Sequence, residues 1–338
     1  MAAILSPIKA LFRSHKLQML YAVLFALGFF LILFPSDDLS DMISAEINRG
    51  GQVHVKFDGL SLDLLGLGIS TENLVFTARG QPAIKAAAIR VSPVFSRLLT
   101  FNKGVAAEIE SIFSGNLHLE YGQDGKTKSG APYDEISLNA EHLSLDEISA
   151  FLRQANMAGF KLQGVVRADV PKIRVDRLFA EQPSGTFSLD IQSFAIPTQT
   201  IMVNFNGVNV PQALPTLELG RINLQNAKLN EGVLEIPELS IGEAKNELHG
   251  KLKGTVGLQF KKVGEILYPE VSSVNLTLKL IADKGFVERN QKTVLGGFFM
   301  LIPPRCKQET AKGTEITCLM KINRPGEQPI FEPPNEKI

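Results

Sequence analysis

Beyond its first fifty residues the chain is written in a period of two. Val53, Val55 and Phe57 alternate with His54, Lys56 and Asp58, and Leu60, Leu62 and Leu64 continue the alternation after a turn expected at Asp58-Gly59. Alternation of this kind marks strands with one buried face and one wet face. It predicts further strands at 73–78, 84–91, 107–112 and 116–121. From Lys161 to about Leu280 short strands follow almost without interruption, separated by Gly, Pro and Asn. About ten residues per strand and turn predict a large antiparallel sheet, sandwich or groove. The fold class is therefore mainly β, with a few short helices.

The helical period is confined to short stretches. Leu39, Met42, Ile43 and Ile47 fall on one face of a helix expected over 36–49, stopped by Gly50-Gly51. Ser92-Pro93 predicts the start of a short helix carrying Val94, Phe95, Leu98 and Leu99. Ser144 and Glu147 form a capping box ahead of Leu145, Ile148, Phe151 and Leu152, with the helix running to about Asn156. A weak repeat links Leu162-Gln163-Gly164 with Leu248-His249-Gly250, and the strand opening at Gly115 with the one opening at Gly232, as expected of stacked hairpins.

Ahead of the strands, Leu17 to Phe34 is one apolar run whose single polar residue is Gln18. As a helix it would be about 27 Å long, close to the hydrocarbon thickness of a bilayer. Lys9, Arg13 and Lys16 precede it, and Asp37, Asp38 and Asp41 follow. The positive-inside bias places the first sixteen residues in the cytoplasm and the rest across the membrane. A cleaved signal peptide is the competing reading. Its apolar core would span about 7–15 residues before a small-residue site, which Leu33-Phe34-Pro35-Ser36 does not supply. The expected layout is a cytoplasmic arm at 1–16, a transmembrane helix at 17–34, an amphipathic linker helix at 35–50, an extracytoplasmic β-rich domain at 51–324 and a disordered, proline-rich tail at 325–338.

Charge changes this picture only by exclusion. The chain has 35 basic and 35 acidic residues in 338, so no basic surplus is available for a nucleic-acid backbone. It has no Trp and only four Tyr but 21 Phe, which favours packing over sugar or base stacking. Cys306 and Cys318 are its two cysteines, and in an oxidising compartment an even count predicts a disulfide.

Motifs for chemistry are near-misses. Gly125-Lys126-Thr127 resembles the end of a phosphate-binding loop, but the first glycine of that motif would fall at Glu120. Gly66-Leu67-Gly68 lacks a third glycine, since position 71 is Thr71. The five histidines, His15, His54, His118, His142 and His249, show no metal-ligand spacing, and no nucleophile elbow occurs. No catalytic, metal or cofactor residue is expected, and no small-molecule substrate. Val294 to Pro304 (VLGGFFMLIPP) is apolar, interrupted by glycine and too short to span a bilayer. It reads first as a core strand. The alternative is a partner-docking or membrane-surface patch built on Val294, Leu295, Phe298, Phe299, Met300 and Leu301.

The arm, anchor, β-rich domain and late apolar Gly/Pro segment resemble the N component of the type II secretion system, GspN, in its longer bacterial form. The likeness is carried by Ile89-Arg90-Val91-Ser92-Pro93 through Leu98-Leu99, by 109–119, by the Leu-x-Gly strands at 162–164 and 248–250, and by 294–304. The same block resembles the AsmA-like proteins, whose sheets curl into an apolar groove linked with lipid movement. The first resemblance implies a non-enzymatic scaffold of the bacterial inner membrane with its β-domain in the periplasm. Its partners would be other secretion components of the inner membrane or periplasm. The second implies a periplasmic lipid-binding or lipid-transfer module, with membrane lipid as its partner.

Overall fold

In the computed structural model, residues 36–333 are described, except for 64–67, 95–103 (save Arg97), 177–180 and scattered stretches of one to three residues. The expected anchor at 17–34 lies outside the described residues. No described helix is long and apolar enough to cross a membrane.

Helix α1 (Ser36–Asn48) leads into strands β1 (Val53–Asp63), β2 (Gly68–Ala78), β3 (Ile84–Pro93), β4 (Gly104–Ile112), β5 (Gly115–Asp124) and β6 (Tyr133–Ser144). Helix α2 (Leu145–Gln154) precedes β7 (Gln163–Val175) and β8 (Ser184–Ile196). A separate hairpin, β9 (Gln199–Phe205) with β10 (Val208–Leu214), comes before β11 (Leu217–Asn230), β12 (Val233–Ile241), β13 (Leu248–Val263) and β14 (Ile266–Asp283). Helices α3 (Lys284–Asn290) and α4 (Val294–Leu301) and a single 3₁₀ turn (Pro304–Cys306) lead to β15 (Lys307–Thr310), β16 (Gly313–Ile322) and β17 (Ile330–Glu332).

One open antiparallel sheet holds all the strands but β9 and β10. Its order follows the chain from β1 to β8, continues β11-β12-β13-β14, and ends β16-β15, with β17 also on β16. Of the expected alternatives this is the single sheet rather than a sandwich.

A recurrent bulge marks β2, β4, β6 and β8, and also β11, the neighbour of β8 in the sheet. Asn73 in β2, Ser111 in β4, His142 in β6, Ser193 in β8 and Asn226 in β11 all have φ between 51° and 58°. The register of each of these strands slips at that point. The left-handed conformation of these residues takes up one extra residue, and each such bulge bends its strand and adds local twist.

Several local expectations are corrected. Asp58-Gly59 is not a turn: β1 runs straight through it as an irregular edge strand, with Gly59 at φ 50° opposite the β2 bulge. Ser92 and Pro93 belong to strand β3, where they pair with Ala106 and Val105 of β4; of the helix expected to start there, Phe95, Leu98 and Leu99 lie outside the described residues. The segment at 294–301 is helix α4 and not a core strand. Gly296 makes this possible, since a Cβ there would collide with the backbone of Asn290 and Gln291 where α3 turns into α4. The tail is ordered in part: β17 pairs with Leu319–Lys321, Phe331 packs on the core, and Lys321 meets Glu332 at 3.0 Å. Ser144 does cap α2 through the Glu147 amide, but the Glu147 carboxylate turns to the Ser114 hydroxyl, so the capping box is not reciprocal.

Both edges of the sheet are protected. On β1, the Asn48 side chain accepts from the Val55 amide at 2.7 Å and donates to its carbonyl at 3.0 Å, with Ser44 on the same carbonyl. One side chain thus stands in for a missing strand. Helix α1 turns this polar side to the sheet, and Met42 and Ile47 are exposed. At the far edge β15 and β17 each cover part of β16.

The main core gathers where α3 and α4 cover the end of the sheet: Leu217, Leu219, Leu280, Ala282, Phe286, Phe299 and Ile302 pack with Ile316. The disulfide Cys306–Cys318 lies inside this core, with Cα atoms 5.3 Å apart, and ties the segment after α4 to β16. The α3–α4 cover is therefore fastened at both ends, by the chain to β14 and by sulfur to β16. Closing a loop of this length is worth about 3 kcal/mol in the chain-entropy account. Replacing both cysteines by serine should lower the stability of the full chain by about that amount and speed amide exchange in 284–306 ahead of β4–β6. A urea midpoint unchanged from the oxidised protein would show that the bond contributes nothing.

Candidate functional site: a two-faced sheet

Cross-strand partners share a face, so the register sorts the side chains into rows. One row crosses thirteen strands: Leu60, Thr71, Ile89, Ile109, Leu117, Ala140, Ala168, Leu189, Leu224, Leu239, Leu252, Leu278 and Cys318. Thr71 is its single polar member. A parallel row runs Pro93, Val105, Tyr121, Ile136 and Ile173, and continues beyond Gly185 through Leu229, Leu234, Val256, Val274 and Ile322. Between them, Leu62, Ile69, Val91, Ala107, Leu119, Leu138 and Val170 fill the β1–β7 side.

The opposite face is as consistently polar. Its matching row reads Ser61, Ser70, Arg90, Glu108, His118, Asn139, Asp169 and Ser188. His118 sits here between Glu108 and Glu120, on the wet side that its phase in β5 predicts.

Burial is uneven along the apolar face. Leu224, Leu229, Val274, Leu276, Leu280 and Ile316, on β11, β14 and β16, are buried. On β2 to β6, in contrast, Ile69, Val91, Val105, Tyr121 and Ile136 are each 37–46% exposed. These five belong to two adjacent rows on one face and form a contiguous apolar surface, not scattered single residues. Its rim is polar: Asp134, one residue pair beyond Ile136, accepts from the Tyr121 hydroxyl at 2.8 Å and from Gln123 at 3.3 Å.

Charged clusters on the polar face tie strands together. In one, Gly104, Gly122, Glu135 and Arg174 are successive cross-strand partners. The two glycines leave a trough in which Arg97 lies, reaching Glu135 at 3.2 Å. Arg174 at 2.9 Å and Lys172 also hold this buried carboxylate. Burial alone would raise the Glu135 carboxyl, but the hydrogen bonds from Lys172 and Arg174 outweigh it and keep it below its ordinary value. In the other, Asp190 accepts from Arg221 at 2.6 Å, Gln192 at 3.0 Å and Asn223 at 3.1 Å. Arg221 foremost holds the Asp190 carboxyl down to about 2, against its partial burial. Asp190 and Arg221 line a shallow cleft of about 310 Å3 together with Arg167, Asp169 and Asn223. With Glu141 the cleft carries three carboxylates against two guanidinium groups, and the Asp190 carboxylate is already taken up by Arg221, Gln192 and Asn223. Among the described residues, no group of three His, Cys, Asp or Glu could hold a metal ion.

The residues proposed for docking from the sequence do not act as one. On α4, Phe299 is buried and packs edge-to-face on Phe286 with ring centroids 6.3 Å apart, and Leu295 packs on the same core. Phe298 and Met300 are exposed, and Val294 is half-buried. The side chain of Leu301 lies outside the described residues. The signal that separates Phe298 from Phe299 is the helical phase, which is invisible while the segment is read as a strand. No family model, curated protein or solved structure matches the chain. The class that fold and face define is an open, two-faced antiparallel sheet with one helical cover.

Two measurements follow from these positions. Phe299→Ser should cost about 3–5 kcal/mol and Phe298→Ser less than about 1 kcal/mol, read from denaturant midpoints. Equal losses would place both rings in the core. Because the folded Asp190 carboxyl is depressed from 3.8 to about 2, its contribution is complete above pH 3.8 and lost as the pH falls toward 2. Asp190→Asn should therefore lower stability at neutral pH by about 1–2 kcal/mol, discounted because Arg221 is half exposed, and flatten the acid limb of the stability curve. An acid limb identical to that of the parent protein would show that the pair contributes nothing.

Proposed function

We propose that the protein is a non-enzymatic lipid-binding module that holds acyl chains against the apolar face of its sheet. The observation that carries this reading is the run of exposed apolar side chains on β2 to β6, continuous in register with rows whose members on β11, β14 and β16 are buried. At about 25 cal/mol per Å2, covering such side chains is the largest favourable term the exposed surface offers. A hydrocarbon chain is the ligand that covers it without asking for hydrogen bonds, and the polar rim at Gln123 and Asp134 suits a headgroup left in water. This agrees with the AsmA-like resemblance of the sequence. An anchored location at a bacterial inner membrane, with the sheet in the periplasm, belongs to the same proposal.

The secretion-scaffold reading rests on a different feature, the β1 edge, whose backbone groups beyond the Asn48 clip could accept a strand from another component. It gives no role to the exposed apolar face, so it stands second.

The test is photocrosslinking of the full chain in its native membrane. p-Benzoylphenylalanine in place of Val91 or Ile136 should yield phospholipid adducts, and in place of His118 or Asn139 on the opposite face it should not. Adducts of equal yield on both faces, or protein adducts alone at Ile136, would overturn the reading.

A further inference from the structure

Helix α4 is apolar all the way round. Its sequence, VLGGFFML, has no polar side chain, and a helix of that kind is ordinarily buried on every side. Here only one side is. At 100° per residue, Leu295, Gly296 and Phe299 share the inward arc, and all three pack on the core or the turn from α3. The outward arc holds Phe298, 39% exposed, Met300, 73% exposed, and Gly297, which has open space where a Cβ would stand. The hairpin strand β10 packs beside α4, and Met202, which pairs with Pro211 of β10, is 69% exposed. The molecule thus carries a second apolar surface, formed by unbranched or aromatic side chains at the covered end of the sheet.

The charge around this surface points to its occupant. The segment from Glu288 to Glu309 carries four cations, Arg289, Lys292, Arg305 and Lys307, against the two carboxylates at its ends, in a chain whose net charge is zero. Arg289 is matched by Glu247, and Arg305 donates to the Phe331 carbonyl at 3.2 Å. Lys292 and Arg305 are exposed at the two ends of the uncharged run 293–304. An apolar helix face bordered by cations is what a segment lying in the headgroup region of an anionic bilayer requires: apolar side chains in the acyl boundary, cations among the phosphates. A docked protein would instead need matching carboxylates for these cations and shape complementarity to a convex eight-residue helix.

We infer that α4 is a membrane-surface contact that dips Phe298 and Met300 into an anionic bilayer. This surface is distinct from the sheet face proposed to hold acyl chains. It rests on that reading only for its purpose: the helix that covers the apolar face is then also the part that touches the lipid source.

The experiment uses the full chain reconstituted in nanodiscs of phosphatidylcholine with or without 30% phosphatidylglycerol (about a third, enough for a surface potential). p-Benzoylphenylalanine replaces Met300, and in separate samples Ile136 or Lys245. Lipid adducts at position 300 should be enriched roughly tenfold or more by the anionic lipid and lost to a similar extent in Lys292→Glu/Arg305→Glu or at high salt. Lys245, exposed in the β12–β13 turn, should stay unlabelled. Absence of lipid adducts at 300, a yield indifferent to the charge reversals, or crosslinks from 300 to a second copy of the chain would overturn the inference. Adducts at 300 without adducts at 136 would leave the α4 contact standing and sink the acyl-chain reading of the sheet. The reverse pattern would do the opposite.

Discussion

Residues paired across an antiparallel ladder lie on the same side of the sheet, and from β1 to β16 twelve successive pairings pass that choice of side along the molecule. Everything else depends on this relay. A slip of one residue at any pairing would exchange faces for all strands beyond it, placing the Arg90–Glu108–His118 row against the core and the Ile89–Ile109–Leu117 row in water. The five positive-φ residues interrupt such a ladder and at the same time keep it in step. Each takes up one residue so that the apolar series resumes on the proper face beyond it, as Ile109 passes to Ile112 and Leu224 to Ala227. The bulges therefore reconcile two demands, a bent sheet and an uninterrupted apolar side.

The polar side supplies specificity more than stability. Glu135 with its three cations and Asp190 with Arg221 are satisfied across neighbouring strands, and a misregistered sheet would leave these carboxylates without partners. Both clusters use strands β6 to β11, the stretch on which the exposed and the buried halves of the apolar face meet. The disulfide acts at the other end, holding the segment that follows the helical cover to β16.

The sheet was legible in the sequence because a period of two survives in almost every strand. The bulges were also written there, as i,i+3 steps such as Ala140–Leu143 and Thr71–Leu74, each with a residue tolerant of positive φ (His142, Asn73) just before the second member. They pass unnoticed when each strand is read alone. The α4 helix was not legible. Eight apolar residues carry no period, so strand and helix fit equally, and only the collision awaiting a side chain at Gly296 decides. Among the candidate docking residues the sequence could not separate inward from outward: Phe298 and Phe299 are neighbours, one exposed and one buried. The exposed sheet face was out of reach for a different reason, since alternation says which side is apolar and not whether anything lies upon it.

The β9–β10 hairpin shows how this architecture can change size. Twenty residues of chain, 197–216, intervene between Ile196 at the end of β8 and Leu217 at the start of β11, yet those two residues are direct cross-strand partners. A pair of strands returns the chain to its starting side and direction, so a hairpin can be extruded from the array, or taken into it, with the parity of every later strand preserved. A single strand cannot. The unit by which such a surface can widen or narrow is therefore two strands, and its area is set by how many hairpins lie in the ladder instead of by any one residue.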